Sequence, residues 1–154
     1  MFRKIIINCL FSFILALVIS GCARTRPIVN VEGFIPEGMT KEQIKDAIID
    51  GCEKVDWDWD TVDGDHIRAS SLAKNYYQMV VDIDYSRPTK YEIVYLNSDN
   101  LNDNGKGEIH KAYYKWVGSL KKAIDNNLKR MSKRSRYCGK DSKNNLNSMC
   151  VLND

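Results

Sequence analysis

Sorted into hydrophobic and polar positions, the chain opens with a nearly continuous apolar run over residues 5–19, broken only by Asn8, Cys9 and Ser12. Residues 22–38 show no sustained period and hold Pro27, Gly33, Pro36 and Gly38, so they read as a tether. Periodicity begins at Thr40. The sequence "TKEQ" spells a capping box, Thr40 accepting from the backbone of Gln43 and Gln43 reaching back. Behind it Ile44, Ala47, Ile48, Gly51 and Cys52 recur at helical spacing and define one apolar face.

A period of two follows. Residues 56–62 alternate Trp57 and Trp59 with Asp56, Asp58 and Asp60, and residues 66–73 set Ile67, Ala69, Ser71 and Ala73 on one face. Residues 76–85 do the same with Tyr77, Met79, Val81, Ile83 and Tyr85, and residues 90–96 with Tyr91, Ile93 and Tyr95. Asp63-Gly64 is a hairpin signal between the first two runs, and "SRPTK" separates the last two. Alternation this regular predicts an antiparallel meander with one buried face, both tryptophans packing against the small side chains of the next strand. After the polar loop "NSDNLNDNGKG" a helical period returns near Glu108. Ile109, Tyr113, Trp116, Val117, Leu120, Ile124 and Leu128 carry it, and it stops after Arg130. The expected class is α+β, in the order α-β-β-β-β-α: a four-stranded antiparallel meander sheet with an N-terminal and a C-terminal helix packed on one face. The expected divisions are an export signal over 1–21, the tether over 22–38, the α+β domain over 39–130 and a basic polar tail over 131–154.

The first division rests on Arg3 and Lys4 ahead of an apolar run too short to span a bilayer comfortably, followed by small residues before a cysteine. The stretch "VISGC" at 18–22 resembles the lipobox of bacterial lipoproteins. The resemblance implies a diacylglycerol on Cys22, cleavage between Gly21 and Cys22, and acylation of the new amino group. A single acyl chain holds a protein marginally whereas several hold it stably, so such a chain is membrane-bound through its lipid. Ala23, standing where an aspartate favours inner-membrane retention, implies the outer membrane of a diderm cell with the domain facing the periplasm. A second resemblance spans residues 40–128. "IRA" at 67–69, "YEIVYLNSDNL" at 91–101 and "IHKAYYKWVGSL" at 109–120 are similar to a family of small, uncharacterised bacterial lipoproteins. It implies fold and location but no activity. Ser98, His110 and Tyr113 recur in its pattern, either to bind a ligand or, the favoured reading, to tie the loop after the last strand to the helix.

Without residues 1–21 the chain keeps 133 residues, with 20 acidic and 21 basic side chains and a net charge of about +1. That is enough for one domain with a modest core, and it gives no reason to expect nucleic acid. The charge is unevenly spread: residues 53–65 hold six carboxylates and residues 121–143 hold nine Lys/Arg. The stretch "KRMSKRSRYCGK" at 129–140 suits contact of the 131–154 tail with anionic lipid, or a solvated extension. Of the cysteines left, Cys138 and Cys150 share the tail and are candidates for a disulfide closing a short loop. Cys52, on the apolar helix face, reads as an unpaired thiol acting as a small hydrophobe.

Candidate chemistry is sparse. "DWDWDTVDGD" at 56–65 has the carboxylate spacing of a calcium loop. Counted from Asp56, however, Thr61 stands where the loop needs glycine and Ile67 where it needs a bidentate glutamate. It therefore reads as a strand with a wet face. "NLNDNG" at 100–105 fails likewise, with Lys111 at the ligand position, and turn chemistry accounts for it. Only His66 and His110 are present, without HExxH or CxxC spacing, and there is neither a GxSxG elbow nor a phosphate-cradling glycine loop. No metal and no cofactor is expected. The expected function is a non-enzymatic binding module with a protein partner that the sequence does not name. The alternative is a metal-dependent or other enzyme built on His66, His110 and nearby carboxylates, which requires the two histidines to converge.

Overall fold

The computed structural model describes residues 25–103 and 105–144, with side chains as far as Arg134. The strands are β1 (Thr25–Pro27), β2 (Val31–Phe34), β3 (Asp58–Thr61), β4 (His66–Ala73), β5 (Tyr77–Asp84), β6 (Lys90–Asp99) and β7 (Glu108–His110). The helices are α1 (Lys41–Lys54) and α2 (Ala112–Asn144). The class is α+β. Five strands form an antiparallel sheet in the order β2-β6-β5-β4-β3, and β1 pairs with β7 in a separate two-stranded ribbon.

The sheet thus has five strands where alternation predicts four. The additional strand, β2, lies in the segment read as a tether, and its sequence hides it. At its buried position it carries Gly33 rather than an apolar side chain. A Cβ there would stand 2.2 Å from the Tyr91 ring. The ring occupies the notch that the glycine leaves, so Val31 is the strand's only apolar side chain on the core face. Four residues are also too few to display a period.

α1 opens as its capping box predicts. The Thr40 hydroxyl accepts from the Gln43 backbone N–H at 3.2 Å, and the Thr40 N–H donates to the Gln43 side chain at 3.1 Å. Ile44, Ala47, Ile48, Gly51 and Cys52 are its buried residues. The helix ends in a Schellman motif, which corrects the reading of the Trp/Asp stretch. The Trp57 N–H bonds the Cys52 carbonyl and the Asp56 N–H bonds the Glu53 carbonyl, with Asp56 at a φ of +56°. Asp56 and Trp57 therefore belong to the helix stop, and the strand starts only at Asp58. Trp57 is buried, but Trp59, opposite Ala69 on the outermost strand, stays 40% exposed, so the tryptophans do not share a buried face. The hairpin that follows closes through the Val62 N–H on the His66 carbonyl, with Asp63 accepting from the Asp65 N–H.

Ile67 and Ala69 of β4, Met79, Val81 and Ile83 of β5, and Tyr91 and Ile93 of β6 turn to the helix side. There they form one core with α1 and with Tyr113, Val117, Leu120, Ile124 and Leu128 of α2. The last helix begins later and ends later than its spacing predicts. Ile109 is buried as expected, but from β7, where pairing with β1 captures residues 108–110. At the other end α2 continues past Arg130 to Asn144, with Met131 packed on the core and Ser132 buried.

Candidate functional site

The residues singled out in the sequence fall into separate places. His66 opens β4 on the face turned away from the helices, with Nδ1 2.7 Å from an Asp82 carboxylate oxygen. His110 lies in β7, where its N–H donates to the Leu101 carbonyl and its Nδ1 accepts from the Ala112 N–H at 3.2 Å. His66 pairs with Asp84 at one end of β5, whereas Leu101 follows the Asp99 end of β6, which pairs with Gln78 at the other. Most of the length of an eight-residue strand, about 20 Å, separates them along the sheet. The two histidines do not converge. Among the described residues no group of His, Cys, Asp and Glu is placed to hold a metal ion.

Ser98 and Tyr113 do meet, through Tyr95, which the sequence marks only as one of the alternating strand residues. A register shift between Val80 and Val81 lets Tyr95 pair with Val81 and Ser98 with Met79, leaving an extra residue in β6. This bulge turns two residues three apart to the same side, and the Tyr95 hydroxyl lies 2.9 Å from Ser98 Oγ. The same hydroxyl donates to Asp103, and the Tyr95 ring meets Tyr113 edge-on at 5.5 Å. Burial, then the Asp103 hydrogen bond, pushes the Tyr95 phenol up to about 12, and the same bond holds Asp103 below the usual carboxylate range. Tyr113 in turn meets Tyr114, whose hydroxyl donates to the Pro27 carbonyl and accepts from the Val29 N–H. The cluster ties β1, β6, the 100–107 loop and α2 together. Its one loose group is the Tyr113 hydroxyl, buried without a hydrogen-bond partner. Only the strand period of Tyr95 showed in the sequence; its hydroxyl's role depends on the bulge.

The sheet face opposite the helices is laid out in charged rungs. Glu32, Glu92, Asp84 and His66 stand in register across four strands, and Asp82, Arg68 and Asp60 across three. Like charges directly opposed are destabilising, and each carboxylate of the first rung has its own partner. Lys90 lies 2.7 Å from Glu32, and the Ser86 N–H donates to Asp84. Glu92 accepts from Asn30 and from Arg87, which together hold it below its ordinary range. At the corner of this face, beside Glu32 and Lys90, Phe34 is 85% exposed.

The Asp82 hydrogen bond, aided by the charges of Asp82, Asp63 and Asp84 and opposed by desolvation, raises the His66 pKa above 6.5. Folding therefore tightens proton binding here. The resulting stabilisation is complete below the unfolded-state value and is lost as pH rises through the folded-state one. An NMR titration is expected to place the His66 midpoint above 6.5 and to show Asp82→Asn lowering it. As pH rises from below the unfolded-state value through the folded-state one, denaturant resistance should fall more in the wild type than in the variant. A midpoint insensitive to Asp82→Asn would refute this pairing.

Two shallow depressions flank α1. One, of about 460 Å³, is lined by Glu53, Asp56, Trp57, Asp58 and Trp59, and the Trp59 indole donates to Glu53 at 3.3 Å. The other, about 420 Å³, includes Asp50, Asn127 and Arg130, with Arg130 paired to Asp50 at 3.0 Å. Cys52 is buried and unpaired, and burial first, then the Glu53 charge, pushes its thiol up to about 12, which removes it from nucleophilic chemistry. Cys22 and Cys150 lie outside the described residues, as does the side chain of Cys138. No described helix is long and apolar enough to cross a membrane. No protein-family model, curated protein or solved structure matches the chain.

Proposed function

We propose that the chain is a lipid-anchored protein of the cell envelope, held in the outer membrane and facing the periplasm, whose domain is a non-enzymatic binding module for a protein partner. The observation that carries the anchor is the apolar run ending in "ISGC" at 19–22, three residues ahead of β1 at Thr25. The binding reading is supported by the open sheet face. An exposed aromatic side chain, Phe34, is set among ion-paired polar neighbours there, the arrangement of an apolar anchor inside a polar rim. The second reading, an enzyme using His66, His110 and nearby carboxylates, has less support because His66 lies in the five-stranded sheet and His110 in the separate β1–β7 ribbon, and the two do not converge.

Radiolabelled palmitate is expected to enter the wild-type chain and not Cys22→Ser. Labelling that persists in the variant would overturn the anchor. A photocrosslinking residue at position 34 is expected to trap a partner in cells, and one at exposed position 122 on α2 is expected to trap none. Equal capture from both would remove the sheet face as the binding surface.

A further inference from the structure

The chain's path fixes which end of the domain a lipid at Cys22 would hold. Thr25 pairs with His110, two residues before α2 opens at Ala112. Cys22 precedes Thr25 by three residues, which when extended reach about 10 Å. The same end carries a concentration of exposed apolar surface. Tyr76 is 57% exposed in the β4–β5 turn and Leu72 59% exposed beside it at the end of β4, while Val29 is exposed after β1. Tyr76 meets Tyr77 edge-on at 5.0 Å, and Tyr77 lies 5.4 Å from Trp116 in the first turns of α2, both of these rings half-buried.

Cations frame this patch. Lys74, Lys111 and Lys115 are all exposed around it. The β4–β5 hairpin turns through Lys74 and Asn75, both at positive φ, and Lys74 takes a place where glycine, asparagine or aspartate is favoured. Tyrosine and tryptophan, apolar in body and polar at one edge, concentrate at the level of lipid head groups. Lysines beside them lay their stems on apolar surface and lift their ammonium groups toward anionic phosphates.

We propose that this end of the domain, centred on Leu72, Tyr76 and Trp116, seats on the surface of the bilayer that holds the Cys22 lipid. The proposal rests on the lipid anchor. It commits to a lipid surface as occupant because the chain leading to Cys22 leaves this end too short a leash to face anything else. It also sets the direction of the basic stretch. α2 starts at the seated end, and its 33 residues extend about 50 Å, so Lys133 and Arg134 are carried away from that bilayer. The tail's charge, which alone suggests contact with anionic lipid, is thereby directed away from the anchoring surface.

The test uses the full-length lipidated chain with Cys138→Ser and Cys150→Ser, the buried Cys52 being left in place. An environment-sensitive fluorophore is attached at Lys74→Cys or at Thr89→Cys, the latter exposed at the opposite end of the sheet. Vesicles of phosphatidylcholine and phosphatidylglycerol carry a head-group nitroxide lipid as quencher. Because β5 sets the two positions about 26 Å apart, the label at 74 is expected to be quenched about threefold more than the label at 89. Equal quenching, or stronger quenching at 89, overturns the seating. Flotation of the same vesicles reads the anchor separately. Protein that floats without preferential quenching at 74 sinks the seating alone, and protein that fails to float sinks the anchor and the seating with it.

Discussion

Tyr91→Ala is expected to lower the free energy of unfolding by about 4 kcal/mol, the range for removing a large buried aromatic ring. The ring is fully buried, fills the notch over Gly33, and reaches α2 with its hydroxyl. That hydroxyl donates to Asp125 at 2.7 Å and stands 3.3 Å from the Lys121 carbonyl, while Asp125 is also paired with Lys121. Burial first, then the Asp125 hydrogen bond, pushes the phenol far above its ordinary range, so it remains a donor at any physiological pH. Tyr91→Phe separates the contributions. It keeps the ring and removes only the hydrogen bond, at an expected loss of about 1–2 kcal/mol. Urea unfolding followed by circular dichroism measures both. A loss for Tyr91→Ala no greater than that for Tyr91→Phe would show that the ring does not lock β2 to β6.

Gly51→Val should destabilise by about 3 kcal/mol, at the upper end of what overpacking a formed core costs. α1 and α2 cross at this residue. A Cβ there would stand 2.6 Å from Ile124 Cγ1 and 3.0 Å from both the Cα and the amide nitrogen of Ile124. The side-chain carbon can rotate away, but the backbone can move only if the helices part. Gly51→Ala should be milder, because alanine recovers up to about 1 kcal/mol of helix propensity. In a double-mutant cycle with Ile124→Ala, which removes the crowding Cγ1, the two losses should not add, since the positions share one contact. Strict additivity in that cycle would count against steric crowding as the cause.

The parts of the fold legible in the sequence are those where the apolar residues themselves mark the period. The buried face of α1, the inward sides of β4, β5 and β6, and the core line of α2 from Tyr113 to Leu128 are of this kind. What stayed hidden has identifiable physical causes. β2 meets the core through Val31 and a glycine, so its alternation has one apolar mark where a strand usually shows two or more. β7 reads as part of a helix because Ile109 stands at helical spacing from Tyr113, and only the pairing of Arg26 with Ile109 reveals a strand. The Trp/Asp alternation starts two residues ahead of the strand because the helix stop at Asp56 depends on a left-handed backbone that an aspartate, unlike a glycine, does not advertise. For the polar cluster, Ser98 and Tyr113 were visible as residue types. Tyr95 as their link was not, since without a bulge it faces away from Ser98.

β3 also bears on how two copies of the chain meet while folding. It is the outermost strand on its side of the sheet, four residues long, and among the described residues no other strand covers its edge. An open edge of this kind is where two copies join before either is finished, and such joining leads to insoluble aggregates. Asp58 and Asp60 occupy that edge strand, so bringing two β3 strands together would crowd four carboxylates into one seam. The alternation that first resembles a cation loop thus acts as a guard rail, keeping neighbouring copies apart while each closes its own core.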